Sequence, residues 1–305
     1  MNTEVTTSKA IGEILDQTFR LSKNHFKHLF LIMLIFGGPL YIIQAIVQLA
    51  TGTSFFRQVG GGDAWYEQII SSFDESTYIE TPTNLGADLG LILIGLLTII
   101  FLPVAQAGIM IAINHIRKNE QYTIGQVLKH AFSRFWPILG SSILFGLIVF
   151  GLVIVPLIAI GIGSFIISAI NPILAVLIGI LLFIGGAVGI GFLVTRWSFY
   201  FGSVVLDRES PGLSRSWKLT TGRTWKLMAV YIIIYLIISS IGVAVELTLG
   251  MALGNSVLFT IIVNLVSLFT SVIFAVGYTV MYLDLKTRHD GDDLKDLIEE
   301  YNDVK

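Results

Sequence analysis

The chain has 305 residues, 54% of them hydrophobic and only 13% charged, and its mean hydropathy is +0.80. A soluble domain carries about 25% charged residues, so composition excludes a water-facing globule and sets the class as integral membrane protein. The net charge of −2 says nothing about partners, while the absence of cysteine excludes disulfides, thiolate metal sites and cysteine nucleophiles.

The first 28 residues carry Glu4, Lys9, Glu13, Asp16, Arg20, Lys23 and Lys27. The apolar run behind them starts late and continues through Ala50 with no small-residue cleavage site, so it reads as a retained span and not as a secretory signal. Just ahead of that run stands IGEILDQTFRLSKNHF, residues 11–26. Ile11, Ile14, Leu15, Thr18, Phe19, Ser22 and Phe26 follow the rhythm of one helix face, and Glu13, Asp16, Gln17, Arg20, Lys23, Asn24 and Lys27 fill the rest. This spacing predicts an amphipathic helix lying in the plane of the membrane interface. About 20 apolar residues cross the hydrocarbon core, which predicts a first span over 29–50. The acidic segment 51–84 follows, in which Trp65, Ile69, Ile70 and Phe73 share a helical face and predict a short helix resting on the outer surface.

A second span is predicted over 85–114. Then TIGQVLKHAFSRFW repeats the amphipathic rhythm with Ile124, Val127, Leu128, Ala131, Phe132 and Phe135, and Thr123 with Gln126 forms a capping box. From Phe135 to Thr195 there is no Asp, Glu, Lys, Arg or His. As one helix this stretch would run about 90 Å at 1.5 Å per residue, far beyond one bilayer, so it must fold back. Gly161–Ile–Gly163 and Asn171–Pro172 are the predicted breaks, giving spans 137–160 and 172–195. In SPGLSRSWKLTTGRTWKLM, residues 210–228, Ser210 is a predicted cap, Pro211 suits a first helical position, and Leu213 with Trp217 marks a weaker apolar edge. Spans 225–249 and 256–283 close the membrane domain, residues 1–289. The acidic stretch 290–305 keeps Leu294, Leu297, Ile298 and Tyr301 at helical spacing; an anionic membrane repels it, so it stands as a solvated tail or docks on a cytoplasmic protein partner.

Charge sets the orientation. Of the 19 Lys and Arg residues, 18 fall before span one, between spans two and three, between spans four and five with Lys226 at the very start of span five, or after span six; Arg57 alone lies in the alternate loops. Cytoplasmic flanks are enriched in Lys and Arg, which predicts an all-α, six-span protein of a prokaryotic cell membrane with both termini in the cytoplasm. The pattern is threefold: an amphipathic cytoplasmic helix, a span out, a span back. Gly12, Leu15 and Phe19 correspond to Gly125, Leu128 and Phe132. An internal triplication explains this, and so does the shared chemistry of helices entering a bilayer from a basic cytoplasm.

Candidate chemistry is sparse. Glu246 is the one charged residue well inside a predicted span, and an intramembrane carboxylate is a candidate proton or cation site; near the outer end of its span, it also reaches the headgroup region. Gln106, Asn114, Asn171 and Asn264 are polar residues in or beside spans, suited to interhelical hydrogen bonds or a polar path. Gly86–Gly90 and Gly185–Gly189 give spacings for close helix packing. His25 and His28 lack a third ligand in sequence, and no phosphate loop, GxSxG or HExxH is present, so no catalytic group, metal or cofactor is expected. The basic residues Arg20, Lys23, Lys27, Lys129, Arg134, Arg215, Lys218, Arg223 and Lys226 fit anionic lipid headgroups better than nucleic acid.

Three stretches resemble a known family. Residues 11–26, with Gly12 and Asp16, resemble the N-terminal signature of the glycerophosphoryl diester phosphodiesterase membrane-domain family and its uncharacterised bacterial and archaeal relatives. VVLDRESPGLSRSWKLTTGRTWKLM, residues 204–228, is similar to that family's central segment through Ser216, Trp217, Leu219, Thr220 and Gly222. YLDLKTRHDGDDL, residues 282–294, resembles its closing segment through Asp284, Leu285, Lys286, Arg288, Gly291, Asp293 and Leu294. Some relatives carry a soluble phosphodiesterase domain after the membrane region. The sequence reaches Lys305 without one, so the resemblance implies no activity and no catalytic residue. The functional expectation is a non-enzymatic accessory or scaffold module contacting anionic lipid, in envelope lipid handling or export of a membrane-active molecule. The alternative is a transporter or permease subunit with a polar path near Glu246.

Overall fold

The computed structural model describes residues 10–56 and 85–303. Every regular element among them is helical: α1 Ile11–Asn24, α2 Phe26–Ala50, α3 Leu85–Arg117, α4 Ile124–Ser133, α5 Phe135–Ser168, α6 Pro172–Ser198, α7 Leu213–Leu219, α8 Thr224–Leu253 and α9 Val257–Asp303. Six of them, α2, α3, α5, α6, α8 and α9, are long and apolar enough to cross a membrane, so the chain is a multi-pass membrane protein. The short helix expected over 65–73 lies outside the described residues.

Local chemistry sets the ends of these helices. Thr123 Oγ1 accepts from the Gln126 N–H at 3.3 Å and Gln126 Oε1 accepts from the Thr123 N–H at 3.1 Å, starting α4. Asn171 Oδ1 accepts from the Ile173 and Leu174 N–H groups at 3.0 and 3.2 Å, with Pro172 at the first position of α6. The other expected break does not occur. Gly161 and Gly163 lie inside α5, which runs 34 residues to Ser168, about 51 Å at 1.5 Å per residue. A glycine weakens a helix by only about 1 kcal/mol, whereas Pro172 removes a donor and the Asn171 side chain competes for the backbone. Ser210 also departs from expectation. It does not cap a helix; its Oγ lies 3.2 Å from Ser141 Oγ on α5. The N-cap of α7 is Gly212, whose φ of +75° turns the chain back after the left-handed Arg208. A Cβ on Gly212 would meet the Tyr200 carbonyl oxygen at 2.5 Å.

α9 forms the axis of the packed part. Leu268, Val272, Val276, Met281 and Tyr282 are buried on it, and α1, α2, α3 and α8 pack around it. α1 turns Ile14, Thr18 and Ser22 into the bundle while Glu13, Asp16, Arg20 and Lys23 stay exposed. Asn264 on α9 donates to Gln44 on α2 at 3.0 Å, a polar pair inside the span region. At that same end, Ser54 and Phe55 carbonyls accept from the Val257 and Leu258 N–H groups at 3.1 Å each, satisfying donors that open a helix. α9 continues without a break through the stretch expected as a separate tail, to Asp303.

Candidate functional site

The most polar part of the packed core is built where α6 ends. A regular helix would pair the Gly202 N–H with the Ser198 carbonyl, four residues back. Instead the Tyr278 hydroxyl of α9 stands between them: it accepts from the Gly202 N–H at 2.9 Å and donates to the Ser198 oxygen at 3.1 Å. A side chain spliced into the backbone ladder is a recognised cause of helix kinks. Beyond it the chain makes one turn, Tyr200–Gly202, then a π-turn, Ser203–Asp207, ending on left-handed Arg208. Gly202 faces the ring of Tyr282, which occupies the space where a Cβ would sit.

The π-turn delivers Asp207 to α9. Its carboxylate accepts from the Tyr282 hydroxyl at 2.6 Å, pairs with Lys286, and lies 3.6 Å from Arg215 of α7. Arg215 in turn holds Asp290 at 3.0 Å. Tyr278, Tyr282 and Lys286 are spaced i, i+4, i+8, so one stripe of α9 meets the whole 198–207 segment. Asp284 and Arg288, also on α9, form an ion pair with contacts of 3.0 and 3.1 Å. These groups tie α6, α7 and α9 into one polar knot.

Beside the knot is a cavity of about 810 Å³, bounded by α3, α5, α6, α8 and α9. Its inner end is closed by Tyr200, Phe201, Ala275 and Tyr278, all buried, while its mouth passes Val188, Ile232, Tyr235 and Leu236, which are 46–68% exposed on the outer face of the spans. The cavity therefore opens sideways. No charged residue lines it among the described residues. Hydroxyls cluster at its inner wall: Tyr200 donates to Ser142 at 3.2 Å, and Tyr231 and Ser198 lie 3.1 Å apart. Gln106 also lines the cavity.

Residues 28–284 match the family described as "Domain of unknown function (DUF7847)". The chain belongs to that family. No curated protein and no solved structure matches it. The DUF7847 match covers both the knot up to Asp284 and the cavity. The match does not link the chain to the phosphodiesterase membrane-domain family.

Within this DUF7847 chain, the Ser-Trp-x-Leu-Thr stretch has a structural task. Ser216 and Thr220 hydroxyls donate to the Arg196 carbonyl at 2.7 and 3.3 Å, satisfying an acceptor near the end of α6. Trp217 lies under the Arg196 guanidinium, 3.6 Å from Cζ to the ring centre. Leu219 is buried, and Gly222 takes φ +76° before α8. Gly12 and Asp16 sit instead on the exposed side of α1, by a shallow depression with Arg20.

The basic residues expected to face lipid divide. Arg20, Lys23, Lys27, Lys129 and Lys218 are exposed, whereas Arg223 and Lys226 are half-buried. Arg134 and Arg215 turn inward. Arg134 donates to the Val204 carbonyl at 2.9 Å, and Arg215 is held between Asp207 and Asp290, so both guanidinium groups are taken up by protein acceptors. Glu246 is exposed on α8 and does not line the cavity; it stands ten residues beyond Leu236, about 15 Å along the helix. Of the polar span residues, Asn171 serves as a cap and Asn264 as an interhelical donor, while Gln106 makes no hydrogen bond to another described residue and opens to the cavity. Among the described residues no group of three or more His, Asp or Glu side chains is placed to hold a metal.

Sequence reasoning missed Tyr278, Tyr282 and Asp207. The usable signal was an acidic residue twelve positions past Thr195, where the uncharged run ends, and two tyrosines with a lysine at helical spacing near the end of the last span.

Proposed function

We propose that the protein is a non-enzymatic module of a prokaryotic cell membrane that takes up a membrane-derived amphiphile from the side, in envelope lipid handling or export of a membrane-active molecule. The observation that carries this reading is the cavity of about 810 Å³ whose mouth lies among exposed apolar side chains of the spans. Ligand cavities typically measure 300–1,000 Å³ and are mostly apolar with a few convergent polar groups. A mouth on the lipid-facing surface admits a molecule already dissolved in the bilayer. In this reading both termini lie in the cytoplasm, as the distribution of Lys and Arg supports. Arg20, Lys23, Lys27 and Lys129 meet anionic headgroups, each contributing about 1 kcal/mol near the surface, beside Phe19 and Phe132, which are partly exposed on the same helices. The acidic stretch 290–305 is the part of the sequence suited to a cytoplasmic protein partner.

The test compares lipids that co-purify with the wild-type chain and with Ile232→Trp, which fills the mouth without touching the core. A bound amphiphile should be recovered with wild type and depleted in the variant. Identical lipid profiles would overturn the reading. For the headgroup contacts, replacing Arg20, Lys23, Lys27 and Lys129 together by Ala should weaken binding of the purified chain to vesicles rich in phosphatidylglycerol; unchanged binding sinks that part. A transport path through Glu246 has less support, because that residue is remote from the cavity.

A further inference from the structure

We infer that the cavity selects an amphiphile with an uncharged, hydrogen-bonding head, such as a diacylglycerol, which enters head first past Ile232 and Tyr235 and lodges its head against Ser142 and Gln106. The inference rests on the reading of the cavity as a lateral lipid site and specifies its ligand.

Three observations lead to it. The first is the sign and number of charges in the lining: none among the described residues. A phosphate or ammonium head drawn into this space would lose its hydration and find no counter-charge, a cost that mostly keeps such groups out of apolar sites. The nearby charges do not compensate. Asp207 is already engaged by Tyr282, Lys286 and Arg215, and Arg196 by Trp217 and Thr221.

The second is unused hydrogen-bonding capacity. Tyr200 spends its proton on Ser142, which leaves the Ser142 proton without an acceptor among the described residues. The Gln106 amide offers two donors and an acceptor, all without described protein partners. A free hydroxyl head both donates and accepts, so it matches this pair, whereas a hydrocarbon would leave these polar groups unmet.

The third is the gradient of exposure along the cavity. Tyr200 is 7% exposed and Tyr278 8%, while Tyr235 at the mouth is 68% exposed. The polar groups with spare capacity belong to α3 and α5, and the exposed apolar ones to α6 and α8. A molecule with one polar end and apolar chains fits this space in one direction, with its chains leaving through the mouth into the bilayer.

The experiment uses the full chain in phosphatidylcholine nanodiscs and three probes with identical diazirine-bearing acyl chains: a diacylglycerol, its 3-O-methyl ether and a phosphatidic acid. Labelled residues are mapped by mass spectrometry, and labelling at Val188, Ile232 and Phe274 is scored against Ile42 and Ile46, which are exposed on α2 and belong to the general lipid-facing surface. The diacylglycerol should label the cavity positions roughly tenfold more than the phosphatidic acid does, the order expected from one unmet polar group, and more than its methyl ether. Gln106→Leu should reduce that preference while labelling at Ile42 and Ile46 stays the same. Equal cavity labelling by diacylglycerol and phosphatidic acid overturns the choice of an uncharged head but leaves a lateral lipid site standing. Equal labelling by diacylglycerol and its ether overturns the role of the head's proton. Cavity labelling no greater than at Ile42 and Ile46 for every probe overturns both the selection and the function it rests on.

Discussion

The knot that joins α6, α7 and α9 and the hairpin of α5 and α6 both draw on membrane-crossing helices, yet they are held in opposite ways. In the knot, Tyr278, Tyr282, Asp207 and Arg215 each have a specific partner, and Tyr282 is fully buried. In the hairpin, apolar side chains point in all directions: Phe165 is 80% exposed, Ile170 85% and Leu181 70%, and α5 buries only Ile138 and Ser141. Within a bilayer a leucine loses little by touching lipid instead of protein, so hydrophobicity inserts a helix without choosing its neighbour. A tyrosine hydroxyl or a carboxylate has few acceptable positions there, and those positions set register and tilt. The fold is thus specified by a minority of polar groups.

Asp207→Ala gives the largest expected effect. It leaves Lys286 and Arg215 without their shared carboxylate and Tyr282 without its acceptor. Breaking a buried pair from one side costs about 3–5 kcal/mol, and the lower end applies because Lys286 and Arg215 are 29% and 21% exposed. Unfolding in detergent micelles measures it, with Leu181→Ala as the reference, expected to change stability by less than about 0.5 kcal/mol. A loss at Leu181 equal to that at Asp207 would erase the contrast between knot and hairpin. Gly202→Ala is expected next, at about 1–3 kcal/mol, because the added methyl overlaps the Tyr282 ring. Pairing it with Tyr282→Leu tests the cause: if the ring is the obstacle, the double variant loses less than the sum of the two changes.

Much of the architecture was legible because lipid demands a coarse pattern. Runs of about 20 apolar residues announce spans, and the Asn171–Pro172 break and the Thr123–Gln126 box are local devices with short-range signatures. Gly161 and Gly163 misled because a helix already isolated from water tolerates glycine when no competing acceptor or fixed φ ends it. The count of basic residues suggested an orientation, but counting says nothing of where each side chain turns; Arg134 and Arg215 bend to protein acceptors 70 and 75 positions away in sequence. The splice of Tyr278 into α6 joins residues 76 and 80 positions apart. The cavity takes its lining from five helices. The cavity leaves no periodic trace, and the splice leaves only the i, i+4, i+8 spacing of Tyr278, Tyr282 and Lys286, which marks a face of α9 but names no partner for it.

Tyr278→Phe tests the splice and carries a smaller effect. The Gly202 N–H and the Ser198 oxygen would lose their shared partner but could then bond each other in an ordinary turn. The net cost is expected to be about 1 kcal/mol, the usual contribution of a protein hydrogen bond. The distinguishing readout is hydrogen exchange at the Gly202 amide together with the distance between spin labels at Leu181 and Leu213. A straightened α6 moves the labels while the amide stays protected. Unchanged distances with unchanged stability would show that the hydroxyl does not set the bend.

The smallest expected effect is a pH dependence at the margin of the knot. His130 on α4 is held below the ordinary imidazole value of about 6.5, first by burial and then by the charges of Arg208, Arg134 and His115. The folded state therefore binds this proton less readily than the unfolded chain does. The stability linked to His130 is fully present above the unfolded value and is lost as pH falls toward and through the lower folded one. Between about pH 7 and 5 the midpoint of thermal unfolding should fall more steeply for the wild type than for His130→Gln. His115, whose Nδ1 lies 2.7 Å from Glu120 Oε2, is present in both proteins, so its contribution cancels in the difference. Raising salt should shrink the difference only in part, because screening acts on the Arg208 and Arg134 charges and leaves the burial of the ring untouched. A difference abolished by salt would make the two arginines, and not burial, the main cause.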